Sequence, residues 1–252
     1  MNNSTSTNSP DWPTRWPQAS FKIAPTLALL AWIVSIALVV LVSGIAWLRF
    51  AYPTANAAAI PLIPALVVQL LLETGIVAVI LAKLPSLSGF SLRELGFGPL
   101  SLRQVGVAVV GAVVMAVVAN GSAALIESLT HSSHQQQVVE MFRGIHNPLM
   151  IGFFIVFAAV LAPVAEETIF RVFIFNFGLR YGGFWSGALL SGAVFGAAHG
   201  DMYLALPLAL GGMVLCGVYY RTRNAFASMI THGLFNSLTL FALLVAPQLA
   251  KP

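Results

Sequence analysis

Seven apolar runs occupy most of the chain between Pro25 and Ala246, and little but a membrane can accommodate them. They are Pro25–Leu48, Ile60–Leu84, Val105–Ile126, Pro148–Leu179, Phe184–Gly200, Tyr203–Tyr220 and Ala225–Ala246. Most are close to the ~20 residues a helix needs to cross about 30 Å of hydrocarbon. The chain is 58% hydrophobic and 8% charged, against roughly 45–50% and ~25% in a soluble domain. So few charges cannot cover so much apolar surface in water. The expected fold is an all-α polytopic integral membrane bundle of about seven transmembrane helices, with an eighth allowed. A polar, disordered tail is expected over residues 1–22 and one transmembrane domain over 23–248. No signal peptide is evident, because the polar start lacks a short apolar region followed by a small-residue cleavage site.

The fourth run is too long to cross straight. Its 32 residues, 148 to 179, would extend roughly 48 Å at ~1.5 Å per residue. Pro163 removes a backbone donor inside it, so the sequence predicts a kink there. Three residues later come Glu166 and Glu167, two of the eight acidic residues in the chain. An ionised carboxylate at the centre of a membrane helix costs at least ~2.5–3.5 kcal/mol on insertion scales. Glu167 and Arg171 stand at i and i+4, the spacing and order of a helical ion pair. Glu166 is ~100° away around the helix and faces elsewhere.

The later runs add costly side chains of their own. F-G-A-A-H ends at His199, with three small residues that let another helix come close. H-G-L-F-N places His232 and Asn236 at i and i+4 on one helix face. Glu73, in the second run, has no local partner and reads as a structural group or a support to the site. A carboxylate, two imidazoles and a carboxamide on three helices are the parts of a hydrolytic site. A base activates water, and N–H groups stabilise the oxyanion of a tetrahedral intermediate.

At these residues the sequence resembles the CPBP (ABI) family, which groups type II CAAX prenyl endopeptidases with bacteriocin-processing-type intramembrane proteases. The three motifs are Glu-Glu-x-x-x-Arg (Glu166, Glu167, Arg171), Phe-x-x-x-His (Phe195, His199) and His-x-x-x-Asn (His232, Asn236), placing the protease core in about 148–246. The resemblance implies an endopeptidase acting on a membrane-associated protein or peptide. By resemblance Glu166 activates water, His199 helps to position it, and His232 with Asn236 forms the oxyanion hole. Glu167, Arg171 and Phe195 support them. No cofactor is favoured, because the zinc-protease signature His-Glu-x-x-His is absent; a zinc ion, if present, would take Glu166, His199 and His232. The reading from a different class is a non-catalytic scaffold or a proton-coupled transporter, since intramembrane acids and histidines also relay protons.

The remaining expectations are coarser. A net charge of +4 is too diffuse for nucleic acid, so the partners are membrane lipid and the substrate. Lys and Arg divide eight to three in favour of a cytoplasmic N-terminus, leaving Arg171 aside as buried in the membrane. That makes a multi-pass protein of the cell (inner) membrane. Residues 85–104 read as a short amphipathic helix on the inner surface. His131, His134 and His146 fall in a polar loop and read as solvated. Cys216 is a lone thiol in an apolar segment and reads as packing.

Overall fold

The computed structural model describes residues 22–51, 62–131, 139 and 142–245. The tail expected over 1–22, apart from Lys22, and His134 lie outside them. All regular structure among the described residues is helical, which is what an apolar chain needs to satisfy its backbone without water. The elements are α1 (Ile23–Ala51), α2 (Leu62–Ser88), α3 (Leu102–Thr130), α4 (Pro148–Val156), α5 (Ala162–Glu167), α6 (Asn176–Ala198), α7 (Met202–Thr222) and α8 (Ala225–Val245). Two π-helical stretches, Phe157–Leu161 and Thr168–Phe175, join α4 to α5 and α5 to α6.

Among the described residues six helical segments are long and apolar enough to span a membrane, rather than the seven or eight expected. The difference lies between Pro148 and Ala198, where the fourth and fifth runs form one helical stretch of 51 residues. That stretch reverses at Gly182 (φ −144°, ψ 17°) and Gly183 (φ 71°, ψ −168°). The positive φ at Gly183 is open to glycine at little cost. The two arms then run antiparallel, with Ser191 Oγ donating to the Phe170 carbonyl at 2.8 Å. The returning arm, residues 184–198, is roughly 22 Å long and short of a full crossing.

The bundle buries its interior and leaves a wide apolar exterior. Leu29, Ile80, Leu84, Val172, Phe173, Phe175 and Tyr219 form the largest core cluster. Trp32, Val39, Phe50, Val110, Val117 and Leu129 are exposed on α1 and α3, the surface that lipid would cover. Helix starts are capped by side chains: Ser101 with Gln104 in a capping box on α3, Asn147 before Pro148 on α4 and Asp201 on α7. These oxygens occupy backbone N–H groups that have no partner within the helix.

The segment between α2 and α3 differs from the surface helix expected there. It is a turn-rich loop, with positive φ at Gly89 (73°) and Gly96 (102°) breaking any helix. Its carbonyls are used instead to cover the α7–α8 corner. Tyr219 OH donates to Leu95 O at 2.8 Å, Ala225 N to Gly96 O at 2.8 Å and Asn224 Nδ2 to Gly98 O at 3.0 Å. Leu95 is 0% exposed beneath them.

Candidate active site

The site is built around α5. Glu167 and Arg171 form the ion pair the spacing predicts, with Nη1 3.0 Å from Glu167 Oε1 and both side chains fully buried. The pair is only partly matched beyond this contact, since Arg171 Nε and Glu167 Oε2 have no hydrogen-bond partner among the described residues. Arg171 Nη2 donates to Gly212 O at 3.2 Å, and its guanidinium lies 4.6 Å from the Phe195 ring centroid. Cation–π attraction is strongest in a desolvated place of this kind.

Glu167 does more than neutralise Arg171. Its Oε1 also accepts from His232 Nδ1 at 2.9 Å, so one carboxylate oxygen links α5 to α8. With Nδ1 engaged, the opposite edge of the ring faces Glu166, where Nε2 is 3.7 Å from Oε2. The 17% exposure of the Glu166 side chain, against 0% for Glu167, sets the two adjacent acids apart.

His199 is the C-cap of α6, and it is exposed. Its Nδ1–H donates to Phe195 O at 2.8 Å, which leaves Nε2 free to accept. Phe195 holds the group together. Its ring is edge-on to His199 at 4.7 Å and to His232 at 5.7 Å, and crosses Phe170 at 90°. The small residues before His199 act as expected, since Gly196 sits on the Ala205 carbonyl of α7 with no room for a Cβ.

Glu166, His199, His232 and Asn236 all line one cavity of about 150 Å³. Its other walls include Met115, Phe157, Phe195, Leu208, Phe235 and Leu240. The walls are mostly apolar, but the volume has room for several waters and Glu166, His199, His232 and Asn236 offer them polar partners. Counting residues from Arg223 places His232 too shallow to meet Glu166, but the structure brings them together. The α7–α8 corner lies beneath the 89–101 loop, with Asn224 3% and Ala225 0% exposed, so α8 starts below the protein surface.

Two features had weak or no sequence signals. Glu73 is buried at 8% exposure; Oε1 accepts from Gln69 Nε2 at 2.9 Å, and Oε2 has no hydrogen-bond partner among the described residues. On α2, Leu66 and Leu70 pack with Phe157, Ala158 and Ala162, while Ile76 and Ile80 pack with Val172 and Phe173. Glu73 therefore falls opposite α5, beside the catalytic candidates; the lone acid in an apolar run was its only signal. The π-helical stretches had none, because hydrogen-bond register is not written in residue type.

Among the described residues no three His, Cys, Asp or Glu side chains converge as a metal site. Glu166, His199 and His232 share the cavity without forming one. Both histidines give Nδ1 to protein acceptors, as metal-ligating histidines also do, so those contacts neither favour nor oppose an ion.

A polytopic helical protein with a buried carboxylate–imidazole site is the class that fold and geometry define. Residues 148–238 match the family described as "Type II CAAX prenyl endopeptidase Rce1-like". The chain is also 26% identical over 106 residues to the protein named "Putative membrane peptidase YdiL" of Bacillus subtilis (strain 168), covering 42% of this chain and 41% of that one. No solved structure matches. The two matches bear out the resemblance carried by the three motifs and support the CPBP family for this chain.

Proposed function

We propose that the protein is an intramembrane endopeptidase that hydrolyses a peptide bond in a membrane-associated protein or peptide. One observation carries the reading: Glu166 and His232 face each other across 3.7 Å at the wall of a cavity that His199 and Asn236 also line. Glu166 takes a proton from a cavity water as the water oxygen attacks the scissile carbonyl carbon. General-base help of this kind contributes about 10²–10⁴-fold. His199, with Nε2 free, accepts from the same water and orients it.

The carbonyl oxygen becomes an oxyanion and is met by N–H groups from α8. Asn236 supplies an amide hydrogen. His232 supplies Nε2–H when its ring carries a proton on both nitrogens. Collapse of the tetrahedral intermediate breaks the C–N bond, and the proton held by Glu166 passes to the leaving amine. Every proton in this cycle is carried by a residue of the chain. Membrane lipid surrounds the catalyst, and the Lys and Arg distribution supports an inner-membrane topology with the N-terminus cytoplasmic.

Glu166→Ala and His199→Ala test the reading in purified, reconstituted protein. Both should lose peptide cleavage while keeping insertion and the unfolding midpoint. Full activity in either variant would overturn the mechanism. Glu166→Gln, which preserves shape, should hold uncleaved substrate for identification by mass spectrometry.

A further inference from the structure

Asn236 is held at the site by an unusual acceptor. Its Nδ2 donates at 2.8 Å to the backbone carbonyl of Ala158, a residue inside the helical stretch of the fourth run. In an α-helix that carbonyl would accept from the N–H of residue 162. Here Ala162 N–H reaches five residues back to Phe157 O, as π-helical register requires. The next backbone donor in that register belongs to residue 163, which is proline and has no N–H. Both backbone donors are thus withdrawn from a carbonyl on a residue only 7% exposed, and the α8 carboxamide takes their place.

The approach of α8 depends on a second position. Gly233, three residues before Asn236 on the same helix, lies against the Ala159 carbonyl, and a Cβ there would overlap that oxygen. Glycine lets the two backbones come close enough for a side chain as short as asparagine to reach Ala158. The planar –NH2 then has one hydrogen anchored on Ala158 O and a second left for another acceptor, and Asn236 lines the cavity.

We infer that Pro163 and Gly233 are positioning residues for Asn236: proline vacates the Ala158 carbonyl and glycine lets the carboxamide dock on it. The catalytic consequence rests on Asn236 being an oxyanion donor; the docking does not. Pro163→Ala restores an N–H that competes for the carbonyl, and Gly233→Ala pushes α8 away from it.

The test follows the Asn236 side-chain amide by NMR in detergent-solubilised protein, assigned by its loss in Asn236→Ala, beside peptide-cleavage kinetics. In Pro163→Ala and Gly233→Ala the resonance should move. The value of kcat should fall by about 10-fold to 100-fold with KM within about twofold, the scale of a ~1 Å misplacement. In the Asn236→Ala background, Pro163→Ala should add less than about twofold. A resonance unmoved in both single variants overturns the inference, as does an equal loss of kcat with and without Asn236. If Pro163→Ala fails to fold, Gly233→Ala carries the test. A moved resonance with unchanged kcat upholds the positioning and removes Asn236 from the oxyanion hole.

Discussion

Glu167 Oε1 lies 2.9 Å from His232 Nδ1 and 3.0 Å from Arg171 Nη1. One buried oxygen therefore fixes both the cation that lets α5 carry its acids and the ring that faces Glu166. The first and third motifs are joined by this contact, although 65 residues separate its two ends. Hydrogen bonds of this sort set the tautomer and orientation of an imidazole, as the carboxylate of a hydrolase triad does.

Removing Glu167 should thus damage fold and chemistry separately. Glu167→Ala leaves Arg171 buried without its counter-charge, and breaking such a pair costs about 3–5 kcal/mol. Replacing both partners with neutral groups of similar size should recover most of that loss. Glu167→Gln with Arg171→Met should accordingly recover the unfolding midpoint but not cleavage, because a charged acceptor no longer faces His232 Nδ1. Recovery of both would show that Glu167 is purely structural.

The membrane class, six of the helical segments and the three motifs were legible in the sequence because each depends on local pattern. Apolar length marks the spans, and i, i+4 spacing gives the Glu167–Arg171 pair and the shared face of His232 and Asn236. What was not legible depends on contacts distant in sequence. Pro163 announced a disruption, but not that Ala158 O would pass to Asn236 across 78 residues. The basic residues of 85–104 suggested a surface helix, whereas Gly89 and Gly96 turn the backbone and the α7–α8 corner supplies its donors. His232 reaches Glu166 although it stands close in sequence to Arg223, because the α7–α8 corner is covered by the 89–101 loop.

The α6–α7 crossing offers a test by steric contrast. Gly196 meets the Ala205 backbone, whereas Gly217, on α7, has open space where a Cβ would go. Gly196→Ala should lower stability by about 1–3 kcal/mol, as overpacking does, and should displace His199 three residues on. Gly217→Ala should be neutral or stabilising by up to ~1 kcal/mol, since alanine favours the helix. Thermal unfolding in detergent measures both, and equal effects would contradict the packing described.

The loop before α3 should respond to acid. Glu94 Oε2 accepts from the Ser91 hydroxyl at 2.7 Å and the Ser91 N–H at 2.8 Å. The hydroxyl first and the N–H second hold the carboxyl below its ordinary value of 4.5. A lowered folded value means the charged form favours the ordered turn above about pH 4.5. That contribution disappears as the pH falls through the lower folded value. An NMR titration of the Ser91 amide should show a midpoint below 4.5 that vanishes in Glu94→Gln. A midpoint at or above 4.5 would contradict the hydrogen bonds.

Chelation separates a glutamate-driven mechanism from a zinc-driven one. Catalytic zinc keeps three protein ligands and an open position, and its ligating histidines usually give their other ring nitrogen to a second acceptor. The two histidines here do have such acceptors, so the Nδ1 contacts by themselves do not decide the matter. The arrangement of the remaining atoms favours the metal-free reading. His232 Nε2 is 3.7 Å from Glu166 Oε2, His199 stands at the end of α6, and the three side chains do not close around a common point. Activity should therefore persist after exhaustive chelation, with metal content below one equivalent by elemental analysis. Activity lost on chelation and restored by zinc, but not by magnesium, would mean that His199 and His232 move together around an ion. In that case Glu166 would be a ligand and not the base.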